Sequence, residues 1–85
     1  MNEVFLIGKI ITDIEFKFII DSKNISISTF AIETIENKEK IELKAYNEIA
    51  DFAFQNLVKE NVVIINGYID NDNKIAIKEI SRITK

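Results

Sequence analysis

The side chains that could do chemistry in this chain are few. There is no His and no Cys among its 85 residues. That removes the commonest general base, the commonest transition-metal ligand, any thiolate metal site and any disulfide framework. Two carboxylate pairs remain, Asp13 with Glu15 and Asp70 with Asp72. Both lie in turns or alternating strand contexts where acids are ordinarily solvated, and no nucleophile or glycine-rich phosphate loop accompanies them. The reading is of a non-enzyme without a cofactor. What is left is a set of lysines and one aromatic: Lys9, Lys17, Lys40, Lys44 and Tyr46. Lysines along strands track phosphates, and an exposed tyrosine ring offers a base a flat surface to stack on. The same lysines could be solvated residues that blunt an edge, and Tyr46 a packing residue with a wet hydroxyl.

The elements that must hold these residues are legible as strands around one helix. From Val4 to Ile11 only Gly8 and Lys9 are not apolar, the texture of a strand covered on both faces. After Thr12-Asp13, the residues Ile14, Phe16, Phe18 and Ile20 alternate with Glu15 and Lys17, so this piece is the bent continuation of the first strand. Gly8 stands where a coiled strand bends or is closely approached. Asp21-Ser22-Lys23-Asn24 is a turn, Ile25 to Thr34 a second strand, and Glu36 to Lys40 a charged hairpin tip. In the third strand Ile41, Leu43 and Ala45 take one face; Lys40, Glu42, Lys44 and Tyr46 share the other. Asn47 is placed to cap a helix whose stripe is Ile49, Phe52, Ala53 and Leu57, with Phe52, Phe54 and Leu57 as core. Asn61 suits the left-handed turn that ends it. A buried fourth strand, Val62 to Ile69, a tight turn at Asn71-Asp72-Asn73 and a last strand, Lys74 to Ile83, complete the chain. Phe16, Phe18 and Phe30 are expected in the core or at subunit contacts.

This order predicts a five-stranded Greek-key barrel of the OB-fold type, with one helix between strands three and four, as a single domain over residues 1–85. Such barrels bind single-stranded nucleic acid or oligosaccharide. A domain this small buries only about 60% of its unfolded surface, and its 47% apolar content supplies the core. The net charge of −3 runs against nucleic-acid binding unless the basic residues cluster on one face. No apolar run is long enough to span a bilayer, and the start lacks a basic region followed by an apolar one. An intact intracellular, cytoplasmic protein with no membrane partner is expected.

The residues also resemble those of the bacterial single-stranded DNA-binding protein family along nearly the whole chain. The resemblance rests on the opening Met1-Asn2, an apolar strand and Gly8-Lys9, then on Glu15-Phe16-Lys17-Phe18 and Thr29-Phe30-Ala31-Ile32. It continues through Ala45-Tyr46-Asn47-Glu48-Ile49-Ala50 and Asn66-Gly67-Tyr68-Ile69. It implies single-stranded DNA as partner, a role in replication, recombination or repair, and a homodimer or homotetramer formed through Glu3 to Ile11. Tyr46 matches one of the family's base-stacking aromatics. Lys40 falls near a second and Glu36 near a third, and there is no Trp. The long basic loop before the last strand is reduced to three residues, and the chain stops at Lys85 without the family's linker and acidic tip. A short form without that tail is therefore expected. The alternative is a primosome-type or accessory OB-fold protein that mainly contacts replication proteins and binds nucleic acid weakly or not at all.

Overall fold

Strand alternation in the sequence becomes a curved sheet that closes on itself. The computed structural model describes residues 3–21, 23–70 and 74–83. Six strand segments appear: β1 (Glu3–Ile10), β2 (Glu15–Ile19), β3 (Ile25–Thr34), β4 (Lys40–Tyr46), β5 (Val62–Ile69) and β6 (Ile75–Arg82). One helix, α1 (Asn47–Asn56), lies between β4 and β5. β1 and β2 run successively along the same edge of β3, through Ile10↔Ile32 and then Glu15↔Thr29, with an Ile11 amide to Ala31 carbonyl bond of 3.0 Å between them. They are one bent strand broken at Thr12-Asp13, so the barrel is five-stranded. The ladder β1-β5-β6-β4-β3 is closed by β1 pairing with β3, and β4–β6 is its one parallel pairing among the described residues.

The core comes from one face of each strand. Ile10, Phe30, Ile32, Leu43, Val63, Ile65, Ile75 and Ile77 are buried in it. Gly8 and Gly67 are needed for closeness rather than for turning. A Cβ on Gly8 would lie 2.8 Å from the Glu33 carbonyl oxygen, and one on Gly67 only 2.3 Å from that of Ala76. The Asn66/Gly67 step also carries an irregularity of register against β6, the usual device for bending a barrel strand. Between β2 and β3 the Lys23 amide donates to Asp21 Oδ1 at 2.9 Å and Asn24 takes φ 53°, as suits the expected turn, of which Ser22 lies outside the described residues. That at Asn71-Asp72-Asn73 lies outside the described residues.

The helix departs from its sequence pattern in three ways. Its buried face is Ala50, Ala53 and Leu57, whereas Phe52 and Phe54 are exposed. Ser28 Oγ donates to the Ala50 carbonyl at 2.8 Å, so the helix lies too close to β3 for rings to fit between them, and the two alanines take that face. Asn47 makes no capping bond; Tyr46 is the N-cap, and Asn47 takes φ 56°, a conformation Asn tolerates. At the other end Glu60, not Asn61, is left-handed, at φ 79°. Asn61 is buried instead, its Oδ1 accepting from the Val58 amide and its carbonyl from Ile10. The last helical carbonyl, Asn56, accepts from Arg82 of β6 at 2.9 Å.

One further expectation fails: within the chain β1 is covered on one face only, with Phe5 67% exposed and Ile7 exposed too. Phe30 is in the core as expected, while Phe16 and Phe18 lie outside it at the surface, where a subunit contact would place them.

Candidate nucleic-acid interface

Residues directly opposite one another on neighbouring strands share a face. The registers therefore lay out the outer surface of β2, β3 and β4 as rows. Lys17 lies opposite Ile27, which lies opposite Tyr46. Next to it, Glu15 lies opposite Thr29, which lies opposite Lys44. Ala31 and Glu42 form the third row. Glu33 closes the series, opposite Lys40 on β4 and Lys9 on β1.

The structure thus brings Lys17, Lys44 and Tyr46 together at one end of the face. Lys9 and Lys40 sit at the other end, four residues along β3 from the Lys44 row and six from the Tyr46 row, or about 13–20 Å away. Both are beside Glu33, and Lys9 Nζ is also 3.5 Å from Glu60 Oε1. Lys17 makes no ion pair among the described residues. Tyr46 is 39% exposed, enough to present a ring face, while Ile27 beside it is half-buried and gives the row an apolar floor.

Beside these rows runs a groove of about 580 Å³, lined by Thr12, Asp13, Glu15, Glu42, Lys59 and Lys74 among others. Its wall is fixed by the Thr12 hydroxyl, which accepts from the Ala31 amide at 2.9 Å. Lys59 lies 3.8 Å from Asp13, and Lys74 3.6 Å from Glu42. These are exposed pairs, each worth about 0–1 kcal/mol, and a phosphate can compete for such a lysine. Sequence reading missed both. Lys59 follows the helix and Lys74 precedes β6, and only the barrel's closure sets them next to Thr12-Asp13 and β4. Among the described residues no group of acids is arranged to hold a metal ion, and no helix is long and apolar enough to cross a membrane.

No protein-family model matches the sequence, and no curated protein does. Solved structures match closely in shape. The single-stranded DNA-binding protein of Thermus aquaticus superposes with a TM-score of 0.87 at 20% identity, over 100% of this chain and 41% of that one. This chain is an OB-fold barrel. It spans less than half the length of the T. aquaticus protein. The SSB domain of a Synechococcus protein matches with a TM-score of 0.79 at 10% identity, covering 94% of this chain and 93% of that domain. The mitochondrial single-stranded DNA-binding protein Rim1 of S. cerevisiae matches at 0.78 and 16% identity, covering 99% and 96%. The likeness confirms the expected five-stranded barrel with its helix before β5.

Proposed function

We propose that this chain binds single-stranded DNA across the outer face of β2, β3 and β4. The observation that carries the proposal is the Lys17–Ile27–Tyr46 row lying beside Thr29–Lys44. Tyr46 stacks a base, and Lys17 and Lys44 neutralise the flanking phosphates. Lys59 and Lys74 extend the track along the groove, and Lys9 and Lys40 meet the backbone farther on. The shared barrel of three proteins named for single-stranded DNA binding supports the same reading. In this role the protein would protect or organise single strands during replication, recombination or repair, without a catalytic step.

The proposal includes self-association through β1. Phe5 and Ile7 stand on its outer face opposite Asn66 and Ile64 of β5, an apolar strip that a second copy would cover in a homodimer or homotetramer. A second reading has its own support. Glu15, Glu33 and Glu42 alternate with the lysines, so the face is close to charge-balanced, as a module contacting replication proteins would tolerate.

Titration of a labelled thymidine oligomer separates the two. Near-micromolar or tighter binding is expected; undetectable binding at low salt would reject the DNA reading in favour of the accessory one.

A further inference from the structure

Three phenylalanines gather where β2 meets α1, outside the core and off the face just described. Phe16 and Phe18 stand on the side of β2 opposite to Lys17, over Ser28 and Ser26 of β3. Both serines are buried, and Ser28 is tied to the helix backbone. The sheet and helix are too close there to admit a ring, so Phe16 and Phe18 stay at the surface. Phe54 reaches from the helix and stacks on Phe16, with ring centroids 4.6 Å apart and planes inclined by 24°. Phe18 and Phe54 are 51% and 52% exposed. β2 is the terminal strand of the ladder, so nothing among the described residues covers its outer edge.

We infer that the Phe16–Phe54 stack, with Phe18 beside it, is a second base-stacking station for a single strand already held at Tyr46. The inference rests on the DNA-binding reading above, and continuity with that face selects the occupant. Lys17 lies between Phe16 and Phe18 in β2 and shares a row with Tyr46, two strand spacings or about 10 Å away. A strand with one base on Tyr46 crosses Ile27, passes a phosphate at Lys17 and arrives at the β2 edge, where the rings begin. An offset ring pair leaves its outer face open, and a base added there continues the stack at the 4.5–7 Å spacing aromatic rings prefer. Every base has such a face, so the station accepts any nucleobase. A second copy of the chain is the weaker occupant. It has its own apolar strip on β1, whereas Lys17, between the two rings in β2 but on its other face with Glu15, offers a phosphate a cation where the strand would cross to them.

The test uses labelled thymidine oligomers of increasing length with the parent, Tyr46→Ala, Phe54→Ala and Phe54→Leu. Phe54 is on the exposed side of the helix and both replacements are good helix formers, so the fold should survive, as a melting curve would show. For long oligomers Phe54→Ala should weaken binding about 5- to 150-fold, the loss of one stacked base. Phe54→Leu keeps the bulk without the π-face and should weaken binding to the same extent. The shortest oligomer the parent binds should be unaffected by either. Oligomers carrying 5-iodouracil should cross-link within β2 or α1. If Tyr46→Ala weakens binding but both Phe54 variants match the parent at every length, the station is wrong and the DNA reading stands. If the Phe54 variants change only the mass seen by light scattering, the patch joins copies and the inference also fails. If the parent binds no oligomer, the inference falls together with the DNA reading.

Discussion

Tyr46 and Leu43 sit three residues apart on β4 and face opposite ways, one 39% and the other 1% exposed. The contrast allows binding and folding to be tested separately. Tyr46→Ala should cost about 1–3 kcal/mol in affinity for a single strand if a base stacks there. Lys44→Glu should weaken binding further, placing a second acid beside Glu42 on the same strand face. Neither should move the melting temperature much, surface changes usually lying within about 0.5 kcal/mol. Leu43→Ala should leave affinity intact and cost about 2–5 kcal/mol of stability. Affinity and melting temperature for all three variants check the assignment; unchanged binding by Tyr46→Ala and Lys44→Glu would remove this face as the site. The two faces of β4 were legible in the sequence because strand alternation has a period of two. The roles of Asn47 and Asn61 were not. Both fall at helix ends, where the choice between cap, left-handed turn and buried bridge depends on partners distant in the chain, here Ile10 for Asn61.

Strands were easier to read than the helix, and the reason lies in what each packs against. β3, β4 and β5 run to within a residue of their expected limits, because their alternate residues face a common core. The helix stripe was displaced from Phe52 toward Ala50, because Ser28 holds α1 against β3, a contact no local pattern encodes. At the same scale, Gly67 tests how closely β5 and β6 must pass. Gly67→Ala would force its Cβ against the Ala76 carbonyl, and a cost of about 1–3 kcal/mol is expected for overpacking of this kind. A thermal or denaturant melt measures it, and an unchanged midpoint would mean that β6 yields freely. β1 carries the assembly prediction. Ile7→Glu places a charge in the strip with Phe5, and light scattering should report a 9.8 kDa monomer for the variant and a dimer or tetramer for the parent. A monomeric parent at micromolar concentration would end the idea that β1 joins copies.

For the molecule as a whole, charge is the quantity that sequence left unresolved. A net −3 says nothing about the face on which lysines collect; the barrel places Lys17, Lys44, Lys59 and Lys74 around one groove and its adjoining rows. If roughly three to five lysines meet phosphates, log K against log salt should fall with a slope of about −2 to −3.5. Titrations at several salt concentrations give that slope directly, and tight binding insensitive to salt would contradict a lysine track. The barrel itself was legible because the order of strands and helix admits few closed arrangements. The groove was not, since its walls are assembled from Thr12, Asp13, Lys59 and Lys74, which become neighbours only on closure.

That closure has a kinetic side. β1 pairs Glu3 with Tyr68 and Lys9 with Val62, so the ring cannot shut until strands from nearly opposite parts of the described chain have met. Loop entropy must be spent before these pairings give any return, which places such a topology among the slower small folds, in the range of about milliseconds to seconds. Until β5 arrives, the apolar strand from Val4 to Ile7 has no partner on that side and is a surface on which one nascent chain can capture another. The strand whose outer face is proposed to join finished subunits is therefore also the one whose edge is at greatest risk of premature pairing while each subunit is still folding.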